Sequence, residues 1–209
     1  MQAIRRDDEH HQMKHQQILS MIKNLPIETV FFGDSLIRRW EEHPDLWHSF
    51  FNSFKPANFG MGADRLENMK WRLTNGELEG FESKLFIFLG GTNNLEDQSA
   101  AVIADSIKEI VELIKEHQPT TKIILLGLFP RNPNQEGRSF TEQISEVNDQ
   151  LARWKPGEYL HFLDLGPLLS SDGQYLDRTL SDDGLHLNAE GYRRIGPSLQ
   201  QFIAEVFTQ

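Results

Sequence analysis

Two short stretches far apart in the chain carry residue types that together could transfer an acyl group. The first is Thr29-Val30-Phe31-Phe32-Gly33-Asp34-Ser35-Leu36, and the second is Ser181-Asp182-Asp183-Gly184-Leu185-His186-Leu187-Asn188. A serine hydroxyl is a weak nucleophile near neutral pH and needs a neutral imidazole to take its proton. The imidazole in turn needs a carboxylate that fixes its tautomer and stabilises its protonated form. Asp183 and His186, three residues apart, could form that pair within one loop. Each residue also has an ordinary reading. Ser35 could be a helix cap, Asp183 an Asx-turn residue and His186 a surface side chain. Of the eight histidines, His186 alone falls in such a loop context, since His43, His48 and His117 fall in or at the ends of helical stretches and His161 opens a strand.

These residues need elements to bring them together. Thr29–Gly33 reads as a buried strand, rich in β-branched and aromatic residues and ended by glycine, with a helix starting at Ser35. Trp40, Leu46, Trp47, Phe50, Phe51 and Phe54 mark an aromatic, core-forming helical region broken at Pro44. Pro56-Ala57-Asn58-Phe59-Gly60 gives a second strand and Gly60-Met61-Gly62-Ala63-Asp64 a tight loop, with Asp64 expected to cap a helix over Leu66, Met69 and Leu73. Lys84 to Leu89 is a continuous apolar strand of the parallel-sheet kind, ending in Gly90-Gly91-Thr92-Asn93-Asn94. A helix follows from about Ser99 to His117. Thr121 to Phe129 is a fourth strand. Ser139 and Glu142 have capping-box spacing ahead of a helix through Trp154. His161-Phe162-Leu163 is a short fifth strand, and Tyr192 to Val206 a final amphipathic helix. Strand and helix alternate throughout, so the expected fold is α/β, a three-layer α/β/α sandwich on a largely parallel five-stranded sheet. Ligands bind outside the carboxyl ends of such strands. Ser35, the Gly60–Asp64 loop and the Gly91–Asn94 loop then share one edge, where glycine admits close approach and asparagine offers an amide donor.

Length and composition limit the alternatives. The 209 residues suffice for one core, expected over residues 14–209, with residues 1–13 a polar lead-in that frays unless it docks on a partner. His10, His11 and His15 are expected on a solvated helix face, and no metal or cofactor is expected. There are no cysteines, so thiolate metal sites and disulfides are excluded. A formal net charge of −10 argues against nucleic acid or an anionic membrane as partner. No apolar run reaches membrane-spanning length and no secretory h-region is seen, so a cytoplasmic location is the expectation.

Taken in order, Gly33-Asp34-Ser35-Leu36, Gly60 to Asp64, Gly91-Thr92-Asn93-Asn94 and Asp183-Gly184-Leu185-His186 resemble the four blocks of the SGNH, or GDSL, hydrolases, which have a flavodoxin-like fold. Asn58-Phe59-Gly60-Met61-Gly62, Trp71 to Leu78 and Leu126 to Arg131 are similar to the branch of the intracellular brain-type platelet-activating-factor acetylhydrolase catalytic subunits. The resemblance runs from about residue 14 to the C-terminus. It implies Ser35 as nucleophile, His186 as base and Asp183 as its orienting carboxylate, with an oxyanion hole from the Ser35 and Ala63 backbone N–H groups and the Asn93 side chain. The family usually has glycine where this chain has Ala63. A serine esterase acting on small-molecule esters, acetyl esters first, is the resulting expectation. Asp34, Leu36, Gly62 and Leu185 are expected around the acyl pocket, and the loops at 130–137 and 167–182 are expected to set the alcohol specificity. A homodimer is an expectation that the resemblance carries. The competing readings are a non-catalytic module that holds an anion at helix N-termini, and a partner protein using residues 1–24 and 40–54 as an interface.

Overall fold

The computed structural model describes residues 1–208. Five strands, β1 (Thr29–Gly33), β2 (Pro56–Gly60), β3 (Leu85–Leu89), β4 (Lys122–Leu126) and β5 (Leu160–Leu163), form one sheet in the order β2-β1-β3-β4-β5. Every neighbouring pair is parallel. Chain growth therefore reverses between β1 and β3, the position where open parallel sheets form their ligand crevice. β1 and β3 are buried along their whole length, as continuous apolar runs covered on both faces must be.

The helices are α1 (Glu9–Asn24), α2 (Ser35–Arg38), α3 (Pro44–Phe51), α4 (Leu66–Arg72), α5 (Ala100–His117), α6 (Thr141–Arg153) and α7 (Ala189–Thr208). α4, α5 and α6 pack in series, and α3 packs against α7. This is the expected three-layer sandwich. Trp40 and Phe51 are core residues, with ring centroids 5.0 Å apart and Trp40 4.5 Å from Tyr192. The aromatic region is thus used largely inside the chain.

Four local expectations are corrected. The N-terminal segment does not wait for a partner: the Met1 ammonium pairs with Glu109 at 2.7 Å, and Ile4 N–H donates to the Glu67 carbonyl at 3.0 Å. α1 begins at Glu9, capped by Asp8, which accepts from His11 N–H at 2.9 Å. Of its histidines only His10 faces solvent, since His11 and His15 are buried at 0 % and 3 % exposure. Asp64 does not cap α4; Arg65 occupies that position and Asp64 turns inward. Ser139 likewise does not head a capping box, as α6 starts at Thr141 after Phe140, whose side chain is fully buried.

Candidate active site

β1 ends where no side chain fits. A Cβ on Gly33 would lie 2.0 Å from the Leu89 carbonyl oxygen, so only glycine lets β1 run beside β3 to its last residue. Asp34 then caps α2, its Oδ1 accepting from Leu36 N–H at 2.9 Å. Ser35 opens that helix with its own N–H unpaired within it. α2 is fixed from two sides. Tyr192 of α7 donates its hydroxyl to the Leu36 carbonyl at 2.8 Å, and Asn58 of β2 donates its amide to the Ile37 carbonyl at 2.9 Å. A Cβ on Gly60 would come within 2.2 Å of Arg38 N, so glycine at the end of β2 is what allows α2 to lie there.

Ser35 Oγ lies 2.9 Å from His186 Nε2, and His186 Nδ1 lies 2.6 Å from Asp183 Oδ2. The second carboxylate oxygen accepts from the backbone N–H groups of Leu185 (2.9 Å) and His186 (2.7 Å). Asp183 is therefore both the Asx-turn residue and the imidazole's partner, one role per oxygen. Burial opposes its ionisation, but the hydrogen bonds from the His186 ring and from the backbone outweigh it and hold the carboxyl well below the usual carboxylate range. The loop is tied to the segment after β4 by Asn132 N–H, which donates to the Gly184 carbonyl at 2.8 Å.

The second-block loop leaves β2 beside Gly33, with Met61 N–H donating to the Gly33 carbonyl at 3.0 Å. Ala63 has φ +61°, the left-handed conformation in which its Cβ costs about 1–2 kcal/mol. Among the described residues its N–H meets no acceptor. Asn93 Nδ2 donates one hydrogen to the Asp64 carbonyl at 2.8 Å, which leaves its other amide hydrogen available and joins the second and third blocks. Arg65 donates to the Asn93 carbonyl at 3.0 Å and reinforces the same junction.

The residues expected around an acyl pocket divide. Leu185 and Gly62 remain partly exposed. Asp34 and Leu36 do not line a pocket, because both are buried, at 0 % and 2 % exposure; their side chains are used to cap and pack α2. Burial pushes the Asp34 carboxyl up to about 7, with repulsion from Asp64 adding and the Leu36 N–H bond opposing. A cavity of about 930 Å³ lies between the segment after β4, the first turns of α6 and the segment after β5, and none of Ser35, His186 or Asp183 lines it.

A charged network beneath the second block was not foreseen from the sequence. Arg72, fully buried, donates to Asp64 Oδ2 (2.7 Å), Glu77 Oε2 (2.6 Å), the Phe59 carbonyl (3.0 Å) and the Gly33 carbonyl (3.2 Å). Glu77 also meets His15 at 2.7 Å, and Asp64 lies 3.0 Å from Arg6 and 3.3 Å from His11. Burial would raise the Asp64 carboxyl, but the Arg72 charge, the neighbouring His11 ring and the bond from Arg6 hold it below the usual value. One signal was present: Arg72 occupies the helix face of Leu66, Met69 and Leu73, where a charge requires a buried partner.

The GDSL-like lipase/acylhydrolase family model matches residues 31–194, the span from β1 into α7 that holds every one of these blocks. The chain belongs to this family. Among the curated members, this GDSL-like hydrolase is 33% identical over 197 residues to the platelet-activating factor acetylhydrolase IB subunit alpha1 of Bos taurus, covering 93% of this chain and 83% of the relative. It is 32% identical over 208 residues to the alpha2 subunit of Rattus norvegicus, covering 97% and 87%. Solved structures with the same fold include a GDSL-like lipase from Bacteroides thetaiotaomicron (TM-score 0.77, 18% identity, 91% and 97% covered). Another is a carbohydrate esterase family 3 protein from Talaromyces cellulolyticus (TM-score 0.64, 18% identity, 86% and 99% covered).

Proposed function

We propose that this hydrolase is a serine esterase that removes short acyl groups, acetyl foremost, from small-molecule esters through a Ser35 acyl-enzyme. The observation that carries the reading is the unbroken chain Ser35 Oγ, His186 Nε2, His186 Nδ1, Asp183 Oδ2, with steps of 2.9 and 2.6 Å. In this reading His186 takes the Ser35 proton as Oγ attacks the ester carbonyl, and returns it to the departing alkoxide. A water activated by the same imidazole then releases the acid. Charge on the tetrahedral oxygen is met by the N–H groups of Ser35 and Ala63 and the remaining amide hydrogen of Asn93. The preference for acetyl is supported by the acetylhydrolase names of the relatives at 32–33% identity.

The test is a panel of p-nitrophenyl esters from acetyl to octanoyl, run beside Ser35→Ala, with fluorophosphonate labelling read by peptide mass spectrometry. Acetyl is expected to turn over fastest, with label on Ser35 and no turnover by Ser35→Ala. A faster octanoyl ester would refute the acyl preference; label on any other residue would refute the nucleophile.

A further inference from the structure

Arg6 belongs to none of the four blocks, yet it reaches the second from the N-terminal segment. Its Nη1 donates to the Gly62 carbonyl at 2.7 Å and to Asp64 Oδ1 at 3.0 Å, while its Nε is held by Asp8 at 2.9 Å. Asp8 is itself fixed as the cap of α1, and the Gln12 side chain donates to the Arg6 carbonyl. The guanidinium is thus oriented from its own side of the structure, and its side chain is only 22% exposed.

The carbonyl it holds is one half of the peptide unit whose N–H belongs to Ala63. That unit is planar and trans, so its C=O and N–H point in opposite directions and turn together. Arg6 on the oxygen therefore sets the direction of the N–H on the far side. A charged donor on the oxygen also draws density toward it and makes the N–H a stronger donor. Ala63 makes this restraint necessary: φ +61° is a conformation from which an alanine relaxes when released. Asp64 N–H to the Met61 carbonyl (3.3 Å) and Asn93 to the Asp64 carbonyl (2.8 Å) hold the loop on its C-terminal side. The Gly62 carbonyl is held by Arg6.

Resting on the acyl-transfer reading above, we infer that Arg6 is a positioning residue for oxyanion stabilisation: it fixes the Gly62–Ala63 peptide and polarises its N–H toward the tetrahedral oxygen. The test uses the full chain with Arg6→Gln and Arg6→Lys, assayed on phenyl acetate and on its thiono counterpart, whose C=S sulfur is a poor hydrogen-bond acceptor. Loss of a whole oxyanion donor costs roughly 100- to 1000-fold in kcat, and weakening one costs about tenfold. Arg6→Gln is expected to lower kcat on the oxygen ester about tenfold with KM changed less than about twofold, and to shrink the oxygen-over-thiono rate ratio. Arg6→Lys should recover part of both. An unchanged kcat, or an equal fall on both esters such as structural loosening gives, overturns the assignment. If Arg6→Gln does not fold, the ratio in Arg6→Lys decides by the same criterion. Wild-type protein that is inactive and unlabelled at Ser35 refutes the acyl-transfer reading and this one with it; active, labelled wild type with an unaltered Arg6→Gln refutes the Arg6 role alone.

Discussion

Arg72→Met removes a buried guanidinium and keeps much of its volume. Asp64 and Glu77, both without solvent exposure at the side chain, lose contacts of 2.7 and 2.6 Å. Breaking a buried ion pair from one side costs roughly 3–5 kcal/mol, because the remaining charge is left uncompensated. Here the lower part of that range applies. Asp64 retains Arg6 and His11, Glu77 retains His15, and the Gly33 carbonyl retains Met61 N–H. The expected loss is about 3–4 kcal/mol, a large fraction of a typical domain's stability. For a chain of this length that is roughly 10 °C in Tm. The pH dependence follows from Asp64. In the parent the folded-state pKa of Asp64 is depressed, so its contribution is present above the unfolded value of about 3.9 and is lost as pH falls below it. In Arg72→Met the Arg72 contribution to that depression is lost and the Asp64 carboxyl can take up a proton in mild acid, so the gap between variant and parent narrows from pH 8 to pH 5. Urea unfolding at both pH values measures this. A loss below about 1 kcal/mol, or a gap that ignores pH, would refute the claim that Arg72 compensates these charges.

Three other outcomes follow from the same geometry. Asn93→Ala should lower kcat roughly 100- to 1000-fold with a smaller effect on KM; steady-state kinetics showing an unchanged kcat would remove Asn93 from the proposed mechanism. Ala63→Gly should leave folding stability within about 1 kcal/mol of the parent, since strain relief offsets the added chain entropy, whereas Ala63→Val places a β-branched residue in the left-handed region and should lose more. Equal denaturation midpoints for Val and Gly would contradict the positive φ. The Asp34 carboxyl is raised to about 7 in the folded state, so between about pH 4 and 7 the folded protein binds more protons than the unfolded chain and stability falls as pH rises. Asp34→Asn should flatten that slope in unfolding curves taken across the window, and a slope identical to the parent's would exclude Asp34 as its source.

Much of the sheet was readable because its signals are local. Leu85-Phe86-Ile87-Phe88-Leu89 is apolar at every position, as a strand covered on both faces must be, and the stripe from Ile103 to Ile114 marks α5. The serine, the Asp-x-x-His and Asn93 were found because each sits where a strand or loop breaks. The charged network was hidden for the opposite reason. Whether His11, His15, Asp64 or Arg72 faces water depends on partners elsewhere in the chain, as with His15 and Glu77, which are 62 residues apart. A lone charge on a helix carries no local mark of being paired. Residues 1–13 read as a fraying lead-in on the same grounds, because the partners of the Met1 ammonium, the Ile4 N–H and the Arg6 side chain lie far along the chain, on α5, α4 and the second-block loop.

The Asp183–His186 segment has a consequence for how the site fails. The carboxylate holds the imidazole ring and that residue's own backbone N–H, so the two travel as a rigid cassette four residues long. Ser35 belongs to a different part of the sheet edge and meets the cassette through a single 2.9 Å contact. Damage that shifts the loop, such as loss of the Asn132 to Gly184 tether, would separate the proposed nucleophile from the proposed base while leaving the Asp183–His186 contact intact. Its signature is a turnover that falls while the Asp183–His186 contact survives, whereas damage inside the cassette breaks that contact itself.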